Sequence, residues 1–211
     1  LPFLETANIY DWTKAHGINL FQRTEKSLFA SEENIAFAKN ILAPLQDKKK
    51  IFCVIGASSI NKMWPTEHWI DFLKPLAEAG WGIVLNGYGP TEQAVADKIA
   101  DALPQTNTLN LVGKLNFVHM IGVASACQIA AGHDTGPLHL VALCGVPTVG
   151  IFDYIQPIEA GYNVPWLVFA VARAERLQTF YHKKRNANVL AELKVEKVRE
   201  KFDELVEKYK L

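Results

Sequence analysis

The sequence alternates short apolar runs with segments of helical periodicity between about residue 50 and residue 170. The apolar runs cover residues 51–55, 81–85, 108–111, 127–130, 147–151 and 166–169. Runs of this length are typical of strands that are covered on both faces. Strands that alternate with helices form parallel sheets with helices packed on both sides. The pattern therefore predicts an α/β fold with a doubly wound, mostly parallel, Rossmann-like sheet.

The composition is that of a protein with a sizeable apolar core. Of the 211 residues, 49% are hydrophobic and 21% are charged, and the formal net charge is zero. A chain without net charge lacks the excess of basic residues that is typical of nucleic-acid-binding proteins. No apolar run reaches the length of a membrane span. The three cysteines lie in apolar contexts without metal-ligand spacing, which favours buried free thiols. We therefore expect no metal site and no nucleic-acid partner.

The segment 131–140, Ala-Gly-His-Asp-Thr-Gly-Pro-Leu-His-Leu, stands between the fourth apolar run and a helical segment. Asp134, Thr135 and Gly136 are therefore predicted to lie where a strand turns into a helix N-terminus. Free backbone N–H groups and the helix dipole make such a junction a natural seat for phosphate. Gly136 lets the backbone approach a ligand closely, and Pro137 suits the start of a helix. The alternative is that Asp-Thr-Gly forms only a helix cap and a turn.

Other polar or small residues also follow the ends of predicted strands. Ser58, Gly87 and Gly113 stand in this position, as Asp134 does. Ligands of open parallel sheets bind outside the carboxyl ends of the strands, so these positions are expected to converge on one edge. Lys62 follows the loop that contains Ser58 and suits a phosphate oxygen. A solvated surface lysine is the alternative interpretation of Lys62.

Three segments resemble a known family. Residues 134–139, Asp-Thr-Gly-Pro-Leu-His, resemble the D-T-G-P-[ML]-H signature of the ADP-heptose lipopolysaccharide heptosyltransferases, glycosyltransferase family 9. Residues 56–65 are similar to the family's G-A-S…K-x-W-P, and residues 110–115 to its N-L-x-G-K-x segment. The resemblance covers the family's C-terminal, donor-binding half. It implies the C-terminal domain of a GT-B fold, followed here by a C-terminal helix.

The resemblance also implies a set of donor-binding residues. Contacts to the diphosphate, the sugar and the nucleoside of the donor are expected from Ser58, Ser59, Lys62, Glu92, Leu115, Asp134, Thr135, Gly136 and His139. Taken alone, Glu92 is an acidic residue in the first turn of a helix, and Leu115 is an ordinary core residue. His139 is either a proton donor to the leaving phosphate or a ligand-positioning residue. No cofactor is implied beyond the substrate, which is ADP-heptose or another nucleotide sugar.

The resemblance implies an inverting transferase that acts on the lipopolysaccharide inner core. Its catalytic base is an Asp of the N-terminal, acceptor-binding domain, which we expect to be missing from this chain, so the catalytic residue here is unknown. Such an enzyme works in the cytoplasm, at the inner face of the inner membrane, where a peripheral membrane contact is compatible with its role.

Two departures from the family pattern leave the donor sugar open. The loop after the fifth apolar run, residues 152–157, keeps a Phe and a Pro but loses the family's Gly-Pro-Thr, and His133 replaces an Asn. The alternatives are a GT-B transferase for another nucleotide sugar, or a nucleotide-binding module without catalysis. A dinucleotide dehydrogenase is disfavoured because residues 56–59 lack the G-x-G-x-x-G pattern.

The chain is predicted to divide into three parts. Residues 1–45 form a linker segment with a helix, residues 46–172 the nucleotide-sugar-binding domain, and residues 173–211 a basic helical extension. Leu193, Phe202 and Leu205 belong to an apolar stripe in this extension. We expect the extension to lie outside the sheet and to expose part of the stripe, which would promote self-association.

Overall fold

The computed structural model of the protein describes residues 26–153, 164–172 and 188–211. Its centre is a six-stranded sheet in the order β3-β2-β1-β4-β5-β6, and every strand pair in it is parallel. The strands are β1 (Lys50–Val54), β2 (Gly82–Asn86), β3 (Thr108–Asn110), β4 (Ile129–His133), β5 (Thr148–Phe152) and β6 (Leu167–Val171). The predicted doubly wound parallel sheet is confirmed.

Six α-helices surround the sheet in the described ranges. They are α1 (Glu32–Ile41), α2 (Thr66–Glu78), α3 (Pro90–Ala102), α4 (Phe117–Ser125), α5 (Gly136–Leu143) and α6 (Val195–Tyr209). Short 3-10 helices cover Ala43–Leu45, Ile60–Lys62, Gln105–Asn107 and Val189–Glu192. Two helices have side-chain N-caps: Ser31 Oγ accepts the N–H of Asn34, and Asn116 Oδ1 accepts the N–H of His119. Both caps satisfy first-turn N–H groups that have no partner within the helix.

Both faces of the sheet are buried, as the apolar runs predict. Along β1, Ile51 and Cys53 face an apolar cluster shared with α2, α3 and α6, whereas Phe52 and Val54 face a second cluster shared with α1, α4 and α5. Successive side chains of a strand point to opposite faces, so an all-apolar strand needs a helical layer on each side.

The fourth strand lies two to three residues further along the chain than predicted. The apolar run 127–130 places it too early, because β4 spans Ile129–His133 and continues into the glycine-containing motif. Gly132 pairs with Val54 of β1 and Gly150 of β5. A Cβ atom on Gly132 would lie 2.6 Å from the Cβ of Val54, so the close approach of β1 explains the glycine inside a strand.

The expected exposure of the C-terminal apolar stripe is wrong. Leu193, Phe202 and Leu205 are buried in the same cluster as the inner residues of β1 and α2. The Phe202 ring meets the rings of Phe72 and Trp81 edge to face. Helix α6 therefore forms part of the helical layer on this face of the sheet, because burying the stripe there removes it from water.

Several predictions lie outside the described residues. These are the linker before residue 26, the loop of residues 154–157, and the first part of the basic extension, residues 173–187. No helix in the part of the chain that the structure describes is both long and apolar enough to cross a membrane.

Candidate functional site

A cavity of about 800 Å³ lies at the carboxyl ends of β1, β2 and β4. The order of the sheet reverses between β1 and β4, so the cavity stands at the switch point where open α/β sheets bind ligands. It is lined by Val54, Gly56, Ala57, Ser58, Asn86, Gly87, Tyr88, Glu92, Leu115, Asn116, Phe117, Met120, Asp134, Thr135, Gly136 and Pro137. Its volume falls in the range of sites for small molecules and cofactors.

Six of the nine predicted donor-binding residues meet in this cavity. They are Ser58, Glu92, Leu115, Asp134, Thr135 and Gly136. The other three, Ser59, Lys62 and His139, are not among the lining residues. Ser59 and Lys62 lie on the exposed loop between β1 and α2, where the N–H of Lys62 donates to the carbonyl of Ser59 at 2.9 Å. The structure thus brings Ser58 and Glu92 together with Asp134 in one cavity, whereas Lys62 lies outside the cavity lining.

Glu92 stands in the first turn of α3 and reaches over two glycine-containing loops. A Cβ atom on Gly56 would lie 2.9 Å from Glu92 Oε1, and one on Gly87 would lie 2.9 Å from Glu92 Cβ. Larger residues at these positions would displace the carboxylate. The half-buried carboxylate is an acceptor for ligand hydroxyl or N–H groups in the cavity.

The start of α5 offers backbone donors at the opposite wall of the cavity. Thr135 has extended backbone angles, and its hydroxyl donates to the carbonyl of His133 rather than capping the helix. The Thr135 side chain thus leaves the first-turn N–H groups uncapped, and a Cβ atom on Gly136 would meet nothing within 4 Å. The helix terminus is therefore open to an anionic ligand.

Asp134 and His139 form a pair beside this helix start. His139 Nε2 lies 3.1 Å from Asp134 Oδ1, with half of the Asp134 side chain exposed. Asp134 is a lining residue of the cavity, so this contact links His139 to the site. The edge of the Phe152 ring borders the imidazole at a centroid distance of 6.4 Å. Because Asp134 precedes the helix and His139 lies in its second turn, this contact lets the imidazole orient the carboxylate.

Sequence reasoning missed the aromatic rim of the cavity. Tyr88 and Phe117 line it although they are 83% and 65% exposed, and Met120 lies beside them. Large apolar side chains so exposed at a cavity are suited to stack on the flat face of a ligand. The sequence positions of Tyr88 and Phe117 could have indicated the rim. Tyr88 directly follows the Asn-Gly at the end of β2, and Phe117 directly follows the N-cap Asn116.

His133 has a structural part in the site that its sequence position did not reveal. Its side chain is wholly buried, and its Nε2 accepts the backbone N–H of Trp64 at 2.8 Å. Its Nδ1 lies 3.3 Å from the carbonyl oxygen of Gly56. Burial lowers the pKa of His133 to about 4, against an opposing effect of the Gly56 carbonyl. The imidazole is therefore neutral at pH 7, with its hydrogen on Nδ1.

The described residues contain no group of three or more His, Cys, Asp or Glu side chains that could hold a metal ion. All three cysteines are buried free thiols, as predicted. Burial raises the pKa of Cys127 to about 12, so this thiol stays protonated and unreactive at neutral pH.

The sheet order, the cavity at its carboxyl edge and the open helix terminus define a Rossmann-like α/β domain of the kind found in GT-B glycosyltransferases. The family description "Glycosyltransferase family 9 (heptosyltransferase)" matches residues 13–190, and the chain belongs to this family. The predicted family is confirmed.

Individual relatives agree with this assignment. Lipopolysaccharide heptosyltransferase 2 of Salmonella typhimurium is 25% identical over 166 residues, which are 78% of this chain and 44% of that protein. The family 9 glycosyl transferase of Veillonella parvula has a TM-score of 0.76 at 18% identity, over 86% of this chain and 53% of that one. The Escherichia coli heptosyltransferase WaaC with ADP has a TM-score of 0.63 at 21% identity, over 86% and 52%. The chain thus spans about half the length of the proteins it matches.

Proposed function

We propose that this chain binds the nucleotide-sugar donor, ADP-heptose, of an enzyme that transfers heptose to the lipopolysaccharide core. The observation that carries the proposal is the convergence of six predicted donor-binding residues on one cavity at the carboxyl edge of the sheet. The neighbour WaaC is described with ADP. Membership of the heptosyltransferase family supports the sugar, and the cavity supports a nucleotide as the ligand.

In this proposal the donor spans the cavity from α5 to α3. The diphosphate accepts hydrogen bonds from the first-turn N–H groups of α5 and from the Ser58 hydroxyl, because these donors surround the open helix terminus. Glu92 accepts hydrogen bonds from the ribose hydroxyls. The base occupies the apolar end beside Leu115 and Met120.

In the transfer reaction, the role of this chain is then to stabilise the diphosphate leaving group. Cleavage of the sugar–phosphate bond places negative charge on the diphosphate, and donors fixed in advance around that charge lower the barrier. Lys62, on its long stem, adds a cation at the same end. Asp134, oriented by His139, accepts hydrogen bonds from sugar hydroxyls. No cofactor besides the donor is required.

The acceptor hydroxyl still needs a base on the opposite side of the sugar. We propose that the base and the acceptor site belong to the part of family 9 enzymes that this chain does not span. The chain alone should then bind donor without transferring it, since an unpositioned acceptor loses much of the rate advantage. We place the whole enzyme in the cytoplasm, with a peripheral contact at the inner membrane face that a lipid-anchored acceptor requires.

Calorimetry with ADP, UDP and ADP-heptose tests the donor role. We expect ADP to bind more tightly than UDP, because a purine fills more of the apolar end of the cavity. Glu92→Gln should weaken ADP binding by about ten-fold, the loss of one charged hydrogen bond. Lys98→Ala, an exposed change elsewhere on α3, is the matched control. Preference for UDP would favour the second candidate, another nucleotide sugar, and absence of all binding would refute the donor role.

A transfer assay tests whether this chain binds the donor but lacks the catalytic base. Purified chain is supplied with ADP-heptose and a truncated lipopolysaccharide acceptor, and ADP release is followed together with modification of the acceptor. We expect binding without turnover. Transfer at an ordinary enzymatic rate by these residues alone would show that the base lies within this chain.

A further inference from the structure

The loop between β1 and α2, residues 55–65, carries three of the predicted donor-binding residues but has an exposed centre. Ser58, Ser59 and Lys62 are all exposed. The ends of the loop are buried or half-buried, and each end has a contact with the same side chain, that of His133 at the end of β4. The position of the exposed centre is therefore determined by what holds the two ends.

His133 holds the ends with its two ring nitrogens. Nε2 accepts the N–H of Trp64 at 2.8 Å, so the ring hydrogen is on Nδ1, which faces the Gly56 carbonyl at 3.3 Å. No water can replace either contact, because the imidazole is wholly buried. The edge of the Trp69 ring closes this site at a centroid distance of 5.6 Å. The single tautomer makes one donor and one acceptor available in fixed directions.

The Trp64 end of the loop is also tied to the C-terminal segment. The Trp64 indole N–H donates to the carbonyl of Leu193 at 2.8 Å, and the Asn188 amide donates to the carbonyl of Met63 at 2.8 Å. These contacts fix the end of the loop against the residues that flank the 3-10 helix Val189–Glu192, and neither of them involves the motif at the start of α5. Among the described residues, the contacts of His133 join both ends of the loop to the end of β4, directly before Asp134.

We propose that His133 is a positioning residue that sets the Ser58–Lys62 loop at the correct distance from Asp134 and the start of α5. The two groups form opposite sides of the diphosphate site, and the inference rests on the donor role proposed above. His133 touches no ligand. It acts through the backbone of Gly56 and Trp64, and its effect should be confined to the diphosphate end of the donor.

Two variants separate positioning from general stability. His133→Leu removes both contacts at similar volume, and His133→Gln keeps an acceptor that can reach the Trp64 N–H. We expect ADP affinity to fall roughly ten-fold or more in His133→Leu and to be largely restored in His133→Gln. Affinity for adenosine, which lacks the diphosphate, should change less than about three-fold in both variants. Equal losses for ADP and adenosine would overturn the proposal.

A double-mutant cycle with Lys62→Ala tests whether His133 acts through the loop. If it does, the loss of ADP affinity in His133→Leu with Lys62→Ala should be smaller than the product of the two single losses. A double mutant whose loss of ADP affinity equals the product of the two single losses would contradict the proposal. If His133→Leu fails to fold, the same cycle is run with His133→Ala, which also removes both contacts and whose loss should likewise not multiply with that of Lys62→Ala.

Amide hydrogen exchange at Trp64 provides a readout that needs no ligand. Exchange should be faster in His133→Leu than in wild type and restored in His133→Gln, with the amides of β1 unchanged. Unchanged exchange at Trp64 would overturn the anchoring role. If wild-type protein bound no ADP, the donor role would fail, and the exchange result would still decide whether His133 holds the loop.

Discussion

Acid should destabilise this protein through His133 in a defined pH range. The pKa of His133 is about 4 in the folded protein, against an ordinary value of 6.5 in the unfolded chain. As the pH falls, the unfolded chain takes up a proton first, so the folded state loses stability below pH 6.5 and the loss is complete near pH 4. The difference of about 2.5 units corresponds to about 3 kcal/mol, with about 2 kcal/mol already lost at pH 5.

Urea unfolding at pH 7, 6 and 5 measures this loss, and His133→Gln provides the comparison because it cannot titrate. Carboxylates elsewhere in the chain contribute equally to both proteins, so the pH dependence of the difference in unfolding free energy isolates His133. We expect the two free energies to converge, or to cross, as the pH falls from 7 to 5. Curves that remain parallel over this range would refute the assignment of a buried neutral imidazole.

Three further predictions concern the packing of Phe202, the two glycines Gly132 and Gly136, and Lys62 in the Ser58–Lys62 loop. Phe202→Ala should lower the unfolding free energy by about 3–5 kcal/mol in urea titration, because the ring is buried between the sheet and α2. Gly132→Ala should cost about 1–3 kcal/mol or prevent folding, because its Cβ would lie 2.6 Å from that of Val54, whereas Gly136→Ala, with open space, should stay within about 0.5 kcal/mol. Lys62→Ala should weaken ADP binding by about 1–3 kcal/mol at low salt by calorimetry, and unchanged affinity would make Lys62 a surface lysine.

The sheet could be predicted from the sequence because its strands are buried on both faces. Residues 51–55 contain no polar side chain, and β1 indeed sits at the centre of the sheet, between β2 and β4. The predicted position of β4 was two to three residues too early, because Gly132 and His133 are not typical strand residues. Their places are decided by the neighbouring strands β1 and β5, and a sequence pattern read along one segment does not contain that information.

The C-terminal helix shows a second limit of the pattern. The apolar stripe of α6 was identified correctly, but the stripe alone does not say which surface covers it. The covering surface consists of Phe72 on α2, Trp81 before β2, and the inner residues of β5 and β6. These lie far away along the chain, so only the tertiary structure shows that the stripe is already buried within this chain.

The cavity was predictable because the carboxyl ends of parallel strands share one edge, which brings Ser58 and Asp134 together whatever their separation in sequence. The connection that orders these residues was not predictable in the same way. His133 contacts Trp64 across 69 positions of the chain, and Trp64 contacts Leu193 across 129. An exposed polar loop can hold a charged ligand only if buried contacts fix its ends, since the entropy of ordering the loop otherwise opposes binding. In this protein the residues that line the cavity follow from local motifs, whereas in our proposal the spacing of the Ser58–Lys62 loop from Asp134 follows from one buried imidazole and the indole next to it.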